Sequence, residues 1–454
     1  MADLQTQILL VTFPVQGHIN PSLQFAKRLI NLGVHVTFMT ATSTIRRMNK
    51  NDGLSYASFS DGYDDGFQLS IDINHYMAEI KRCGSQSLRE FLSQSIDQGT
   101  KFTSIVYCTL LPWVATVARE FHIPATFLSN QPASILNIYY HYFKGYDQII
   151  TKNINDPSFS VKILGLPILS RHDLPSFFLS PDSNVNTIST FKEHIEILDQ
   201  ETNPRILVNT LDELESEAMK AIGNGKYNIV GIGPLIPNPT EKTSFGGDLI
   251  KVTKEYGEIE WLNSKPENSV IYLSFGSLSV LEKRQNEEIA KGLLETGRPF
   301  LWVIRETEGG KELLSCQEEL EKQGKIIPWC SQVEVLSHPS VGCFVTHCGW
   351  NSTFESLVFG VPTVTFPQWT DQGTNSKLVQ DVWRTGVRVT KNDEGLVESS
   401  EIKRCLEMVM EGGDRGEEIK RNVKKWKELS REAAMEGGSS DKNLKSFVNE
   451  LRKN

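Results

Sequence analysis

Short apolar runs that alternate with helical stretches constrain the fold of this chain of 454 residues more than any other feature. The run Gln7–Phe13 is continuously apolar, as strands buried on both faces usually are, and a helix is predicted from about Pro21 to Asn31. Further strands are predicted at His35–Thr40, Thr103–Tyr107, Ala125–Leu128, Ile206–Asn209 and Asn228–Gly231. Strands and helices that alternate with short connections predict an α/β fold with a parallel, doubly wound sheet.

The second half of the chain begins the same alternation again. A helix is predicted at Glu282–Thr296, and strands are predicted at Ser269–Phe275, Phe300–Ile304, Lys325–Ile327, Val341–Thr346, Thr363–Phe366 and Val387–Val389. Gly233–Tyr256 is rich in Pro, Gly, Thr and Lys without periodicity, which is typical of a linker. Because a chain of this length exceeds one hydrophobic core, we predict domains at 1–235 and 259–432, a linker at 236–258, and a terminal helical segment 433–454 that packs back on the first domain.

Charge and cysteine content limit the partners and the compartment. The formal net charge of −9 argues against nucleic acid and anionic membranes, because binding phosphates there requires clustered basic side chains. No run of about 18 apolar residues occurs, so no membrane span is predicted. The opening residues MADLQTQ lack the basic stretch of a signal peptide, and seven cysteines, an odd number, favour free thiols in a reducing compartment. We expect a cytoplasmic monomer.

The segment Trp329–Gln372 carries the strongest chemical signal. Its strand Val341–Thr346 is followed by a turn, His347–Trp350, and by a helix that Asn351-Ser352-Thr353 opens. Main-chain amides at a helix start, with capping side chains and a glycine that permits close approach, form an anion site. We predict that a phosphate group binds there.

Two further features of this segment extend the prediction. Trp329 offers a flat ring suited to a nucleobase. Asp371 and Gln372, which follow the short strand Thr363–Phe366, offer acceptors and donors suited to sugar hydroxyls. A phosphate, a base and a sugar together indicate a nucleotide sugar.

The same segment contains five potential metal ligands within 19 residues, namely Cys330, His338, Cys343, His347 and Cys348. No Cys-x-x-Cys pair occurs among them, and Cys343 lies within a predicted strand, whereas structural zinc sites use close pairs. We predict buried thiols and a phosphate-binding histidine, with no metal.

A histidine follows the first predicted strand, in the segment Pro14–Pro21. Pro and Gly shape a turn there, Asn20 is a candidate helix cap, and Pro21 suits the first helical position. His18 then lies at the positive end of a helix dipole, which disfavours imidazolium. The ring is expected to be neutral, the form that a general base requires.

The segment Trp329–Gln372 as a whole resembles the signature box of plant family 1 UDP-dependent glycosyltransferases. Trp opens it, HCGWNS lies in its middle, Glu stands four residues after that Asn, and Asp-Gln closes it. The resemblance implies a set of UDP-binding residues: Ser277, Trp329 (on uracil), Gln332, His347, Asn351 and Ser352 (on the diphosphate), and Glu355 (on the ribose). It implies three hexose-binding residues, Trp350, Asp371 and Gln372, and a closing Gln usually accompanies glucose.

The resemblance covers essentially the whole chain and implies the GT-B fold: two facing doubly wound Rossmann-like domains with a cleft between them. The N-terminal domain would bind the acceptor and the C-terminal domain the UDP-sugar. His18 would deprotonate the acceptor hydroxyl, which attacks C1 of glucose and inverts it. UDP-glucose is then a co-substrate, and no cofactor is expected.

One position departs from the family's pattern. The histidine is usually paired with an Asp at the end of the fourth strand, and Cys108 occupies that position here. A thiol supplies no fixed negative charge unless its pKa is depressed. Thr109 is the candidate for a neutral, hydrogen-bonding orienter.

Three N-terminal segments, Asp61–Gly66, Leu111–Trp113 and Arg171–Phe177, resemble one branch of the family. That branch contains anthocyanin 5-O-glucosyltransferases and the glucosyltransferases of crocetin and hormone carboxylates. Asp61–Gly66 lacks the ligand spacing of an EF-hand and is predicted to be a surface turn. The aromatic stripe Tyr139–Phe143 is either core packing or a wall of the acceptor pocket.

We therefore predict an inverting UDP-glucose-dependent O-glucosyltransferase that acts on a small plant secondary metabolite. The acceptor group is a flavonoid or anthocyanin hydroxyl, or a carboxylate such as that of crocetin or a hormone acid. The alternatives are a catalytically silent nucleotide-sugar-binding protein and, on the same fold, a nucleotide-sugar epimerase or polymer-forming transferase. An intact His18 beside an intact donor box argues against the silent protein.

Overall fold

The computed structural model describes residues 6–66, 72–237, 256–305 and 314–453. The described residues divide into two compact units: 6–237 together with 432–453 form the first unit, and 256–431 form the second. The predicted linker falls largely on residues 238–255, which lie outside the described part of the chain.

The first unit is built on a seven-stranded sheet whose paired strands all run parallel. The strands of the unit are β1 Gln7–Val11, β2 His35–Ala41, β3 Leu54–Phe59, β4 Ser104–Cys108, β5 Ala125–Ser129, β6 Ser160–Lys162, β7 Ile168–Ser170, β8 Arg205–Val208 and β9 Asn228–Gly231. The spatial order is β3-β2-β1-β4-β5-β8-β9, and β6 pairs with β7 as an antiparallel hairpin. The helices are α1 Gln16–Asn31, α2 Thr42–Arg47, α3 Ile73–Asp97, α4 Trp113–Glu120, α5 Ala133–His141, α6 Asp147–Asn153, α7 Val185–Gln200 and α8 Asp212–Ala221.

The second unit is built on a six-stranded parallel sheet. Its strands are β10 Val270–Ser274, β11 Phe300–Val303, β12 Lys325–Ile327, β13 Val341–Thr346, β14 Thr363–Thr365 and β15 Gly386–Arg388, in the spatial order β12-β11-β10-β13-β14-β15. The helices that follow the first unit in the chain are α9 Glu258–Asn263, α10 Lys283–Thr296, α11 Gln317–Gln323, α12 Gln332–Ser337, α13 Trp350–Phe359, α14 Gln372–Lys377, α15 Ser399–Met410 and α16 Gly413–Ala434.

The last helix, α17 (Ser439–Leu451), belongs to the first unit. Its Phe447 packs on Phe25 of α1 with 6.3 Å between ring centroids. Asn443 Nδ2 donates to the main-chain oxygen of Gly231 at 2.8 Å, which ties the helix to the end of β9.

The strand order of each sheet reverses at one point, and such points are where open α/β sheets bind ligands. In the first sheet the reversal falls between β1 and β4, so the segment after β1 meets the end of β4. In the second sheet it falls between β10 and β13, so the segments after these two strands meet. Each unit therefore has one edge where side chains from distant parts of the chain converge.

Helix α1 begins at Gln16, and the prediction of a start at Pro21 is wrong. Val15 is the N-cap residue, and its main-chain oxygen accepts from the N–H groups of His18 and Ile19. Pro21 lies inside the helix, where its ring removes one N–H without ending the first turns. Asn20 is thus not a cap, and His18 lies in the first turn of the helix.

Two other predictions are decided by burial. Tyr139 and Tyr142 are buried and stack on Phe191 and Phe178, each pair with 4.0 Å between centroids, so this part of the aromatic stripe is core packing. Asp61 is 1% exposed and accepts a hydrogen bond from the Tyr76 hydroxyl at 3.0 Å, so the predicted surface turn has a buried anchor. Within the described residues, no helix combines the length and apolar character needed to cross a membrane.

Candidate active site and nucleotide-sugar site

The switch point of the first unit brings a histidine and a cysteine together. His18 Nδ1 lies 3.5 Å from Sγ of Cys108, the last residue of β4. The main-chain N–H of Phe13 donates to the same sulfur at 3.1 Å, and the Phe13 ring lies 5.3 Å from the imidazole. The position beside the histidine, which the family pattern gives to a carboxylate, is therefore filled by a thiol.

Both members of this pair are neutral near neutral pH. Burial lowers the pKa of His18 to about 4 and raises the pKa of Cys108 to about 12. The neutral imidazole was expected from the helix dipole, and in the structure the burial of the ring lowers its pKa. When Nδ1–H donates to the sulfur, Nε2 keeps its lone pair for a proton from another molecule, and His18 as a whole is partly exposed.

Thr109 lies next to Cys108 in the chain, but its hydroxyl is engaged elsewhere. Its Oγ1 accepts the main-chain N–H of Asn130 at 3.2 Å, and Asn130 Nδ2 donates to the main-chain oxygen of His18 at 3.4 Å. Among the described contacts, the side chain that reaches the His18 ring nitrogen is Cys108, not Thr109.

The switch point of the second unit holds the candidate diphosphate site. The segments after β10 and β13 place His347 against two glycines: a Cβ on Gly276 or on Gly349 would lie 2.6 Å from His347 Nε2. Gly276 also has a φ of +77°, which favours glycine. Asn351 and Ser352 follow in the first turn of α13, and a helix start is the end that favours an anion. The geometry fits the predicted phosphate-binding role of these side chains.

His347 is neutral in the free protein, because burial lowers its pKa to about 4. Its Nδ1 is buried and has no hydrogen-bond partner among the described residues. The ring therefore carries no positive charge in the free protein. A neutral ring serves an anion as a hydrogen-bond donor instead.

We expect His347→Ala to weaken the binding of UDP and of UDP-glucose by the same factor, because the diphosphate is common to both. UDP-glucose affinity in the wild type should be nearly constant from about pH 6 to pH 8, since a group with a pKa of about 4 does not titrate in this range. Calorimetry in two buffers of different ionisation enthalpy measures both effects. Proton uptake on binding, with affinity rising as the pH falls, would contradict the neutral-donor role.

Side chains of α12 and α13 form the candidate nucleoside corner. Gln332 Nε2 donates to Ser352 Oγ at 2.9 Å and to Glu355 Oε2 at 2.6 Å. The buried Tyr272 hydroxyl donates to Gln332 Oε1 at 3.4 Å, which orients the amide. Trp329 lies in the connection between β12 and α12, at the same end of the sheet. The structure thus brings three of the predicted UDP-binding residues into contact, namely Gln332, Ser352 and Glu355.

The candidate sugar corner lies at the start of α14. Gln372 Oε1 accepts the main-chain N–H groups of Gln368 at 2.8 Å and of Trp369 at 3.1 Å. These two bonds fix the amide, so that Nε2 is the atom that this side chain presents to a ligand. Asp371 Oδ1 accepts the Thr370 hydroxyl at 2.9 Å. Both predicted residues are rigidly held.

Trp350 lies in the same region, but its ring is buried. The side chain is 4% exposed and stacks on Phe354 with 5.0 Å between centroids and 17° between planes. An indole packed in this way belongs to the core. A sugar-binding role for Trp350 is thus confined to its main chain at the start of α13.

Two supporting residues were not predicted from the sequence. Asn375 Nδ2 donates to Asp371 Oδ2 and to the main-chain oxygen of Cys348, both at 2.9 Å, and so joins the sugar corner to the turn after His347. Arg305 donates to the main-chain oxygens of Ser277 and Ser279 and holds the segment after β10. The spacing of Asn375 four residues after Asp371 on a helix was the available signal for the first. No comparable signal marks Arg305.

The cysteines and histidines of this segment do not converge. Within the described ranges, no group of three His, Cys, Asp or Glu side chains is placed to hold a metal ion. The seven cysteines are free thiols, and Cys330, Cys343 and Cys348 are buried.

Comparisons with known proteins agree with this geometry. The sequence profile of the family described as "UDP-glucoronosyl and UDP-glucosyl transferase" matches residues 232–437. Crocetin glucosyltransferase, chloroplastic, from Gardenia jasminoides is 55% identical over 99% of this chain and 98% of its own length. Phloretin 4'-O-glucosyltransferase from Malus domestica is 54% identical over 99% of this chain and 98% of its own. The crystal structure of Os79 from O. sativa in complex with UDP has a TM-score of 0.87 at 32% identity, and the match covers 98% of this chain and 100% of that one.

Two doubly wound parallel sheets, each with a site at its switch point, define a transferase of the GT-B fold class. The chain belongs to the UDP-glucuronosyl and UDP-glucosyl transferase family, and it is a UDP-glycosyltransferase. The fold class, the family and the enzyme class that the sequence predicts are confirmed.

Proposed function

We propose that the protein transfers glucose from UDP-glucose to a hydroxyl or carboxylate group of a small aromatic or polyene acceptor, with inversion at C1. The observation that carries this proposal is the neutral His18, partly exposed at the switch point of the first unit with its Nδ1 on Cys108. In this proposal the first unit binds the acceptor and the second unit binds UDP-glucose.

In this mechanism His18 acts on the acceptor, and the diphosphate site acts on the leaving UDP. His18 Nε2 accepts the proton of an acceptor hydroxyl while the oxygen forms a bond to C1 of glucose. The bond from C1 to the UDP oxygen breaks, and the electron pair leaves with UDP. Hydrogen-bond donors at His347 and at the start of α13 stabilise the negative charge that develops on the diphosphate.

Because Cys108, the partner of His18, is neutral, we expect the enzyme to prefer acidic acceptors. A carboxylate beside the histidine would stabilise the imidazolium that forms during proton transfer, and the Cys108 thiol supplies no such charge. Carboxylic acids and acidic phenols depend least on that stabilisation, because they give up their proton most easily. The relatives' names support both classes, since crocetin is a polyene dicarboxylic acid and phloretin is a phenol.

We further propose that the enzyme works as a monomer in the cytoplasm, a compartment consistent with its free thiols. Light scattering on the purified protein tests the first statement. A fluorescent fusion in plant cells tests the second, and accumulation in plastids would contradict it.

The purified chain is expected to form glucosylated products from UDP-glucose with both a polyene dicarboxylic acid and a dihydrochalcone phenol. Mass spectrometry of the products shows the added hexose, and the proton coupling at C1 shows its configuration. Because the donor is an α-glucoside, inversion gives a β-linked product. An α-linked product would exclude this mechanism, and the absence of product from every acid and phenol of a broad panel would exclude the function.

A further inference from the structure

A buried histidine contacts Tyr107 and Leu110, on either side of Cys108 in the chain, and has no part in the chemistry described above. His194 lies on α7 and is 2% exposed. Its ring stacks on Tyr107, with 5.9 Å between centroids and 6° between planes, and lies 4.5 Å from the ring of Phe127. These contacts fix the plane of the imidazole, so its two nitrogen atoms point in defined directions.

One of these nitrogens holds the main chain just beyond β4. The N–H of Leu110 donates to His194 Nε2 at 3.2 Å. A ring nitrogen that accepts carries no proton, so the neutral ring holds its proton on Nδ1. Burial lowers the pKa of His194 to about 3, so the acceptor is retained at neutral pH.

Leu110 adopts a conformation that requires such support. Its φ is +76°, in the left-handed region that is unfavourable for a residue with a side chain. The residue lies two positions after Cys108, in the turn that leaves β4. Strained turns persist only where surrounding contacts determine them. The His194 bond is such a contact, and it lies next to the partner of His18.

We propose that His194 is a positioning residue for glucosyl transfer, which through Leu110 holds the turn 108–110 so that Cys108 Sγ stays beside His18 Nδ1. The inference rests on the proposed function, because it concerns the orientation of the proposed base. His194 acts through the main chain and lies in the first unit. Its loss should therefore lower turnover and leave donor binding unchanged.

Four variants separate this role from simple packing. His194→Leu removes the acceptor altogether. His194→Gln places its amide oxygen near the position of Nε2, whereas His194→Asn places its amide near Nδ1, out of reach of Leu110. Ile195→Val is the packing control, because Ile195 and His194 line the same cavity of about 10 Å³.

With a phenol acceptor, His194→Leu and His194→Asn are expected to lower kcat about tenfold, the value of one buried hydrogen bond, with KM for UDP-glucose unchanged. His194→Gln and Ile195→Val should stay within about threefold of the wild type, because neither loses that bond. Combined with His18→Ala, His194→Leu should cause no further loss, because both changes act on the same base.

Equal losses in the Gln and Asn variants would overturn the proposal, as would an added tenfold loss in the His18→Ala background or a matching rise in KM for UDP-glucose. If the leucine variant does not fold, the Gln and Asn pair decides, with melting temperatures measured on the same samples. A wild-type protein that forms no product refutes the proposed function itself. Normal wild-type turnover without the Gln–Asn difference refutes only the role of His194.

Discussion

Replacing His18 by alanine is expected to lower glucosyl transfer to a phenol by about 10²–10⁴-fold, while a measurable fraction of glucose-ester formation remains. A phenol is largely protonated at neutral pH and needs a base in the transition state. A carboxylic acid with a pKa near ~4 is already ionised and attacks without losing a proton. Cys108 Sγ lies 3.5 Å from His18 Nδ1, where a carboxylate would stabilise the imidazolium that forms during deprotonation. Because the thiol lacks that charge, we expect the difference between phenol and carboxylate acceptors to be larger.

The informative quantity is the ratio of kcat/KM, mutant to wild type, for a carboxylate and a phenol of similar shape. Cys108→Ser keeps a neutral hydrogen-bond partner at His18 and is the matched control, which should retain the preference for acidic acceptors. Aliphatic alcohols should be poor substrates of the wild type. Equal losses for the acid and the phenol in His18→Ala would mean that His18 orients acceptors rather than removing their proton.

Changing Gln372 is expected to have the second largest effect. The loss of a sugar-specific hydrogen bond leaves a buried partner unpaired and costs ~1–3 kcal/mol, so Gln372→Ala should lower glucose transfer about ten- to a hundredfold. Gln372→Ala also removes the Oε1 acceptor of the main-chain N–H groups of Gln368 and Trp369, so its effect combines the loss of the sugar bond with a change in this turn. Gln372→Glu keeps that acceptor and replaces only the Nε2 donor.

Both Gln372 variants should lose glucose transfer while UDP, which lacks the hexose, binds with unchanged affinity. Steady-state rates with UDP-glucose and UDP-galactose, together with calorimetry of UDP, provide the measurement. Full activity of Gln372→Glu would show that the amide nitrogen does not bind the sugar. Equal or better use of UDP-galactose by the wild type would remove the assignment of glucose as the donor.

The alternation of strands and helices was predictable because it depends on local burial. Runs such as Ile8–Val11 and Val270–Leu273 are apolar throughout, as each is buried on both faces of a parallel sheet. The boundaries of these elements were harder to predict. Pro21 suggested the start of a helix, but α1 begins at Gln16. A proline in the helix removes only one main-chain N–H, so the helix continues through it. A local pattern predicts which residues form an element better than where that element ends.

The candidate nucleotide-sugar site was largely predictable because it is almost contiguous. His347, Ser352 and Glu355 lie within the segment from β13 to α13, and Gln372 begins α14 after the next strand, so short connections position all four. The orientation of Trp350 was not predictable, since the choice between ligand and core depends on its packing against Phe354 and Trp383. Trp383 follows α14 in the chain and therefore does not belong to the helix that carries Trp350.

The sequence by itself determined the α/β class, the family and the set of candidate residues, because short-range periodicity and a contiguous motif carry that information. Only the tertiary structure decided what surrounds the proposed base. His18 meets Cys108 across 90 residues of chain, and Leu110 meets His194 across 84. Such contacts exist because β1 and β4 are neighbours in the sheet while α7 packs its histidine against Tyr107 and Phe127. The low pKa of His18 has the same origin, since desolvation depends on everything that packs around a ring and not on its neighbours in sequence.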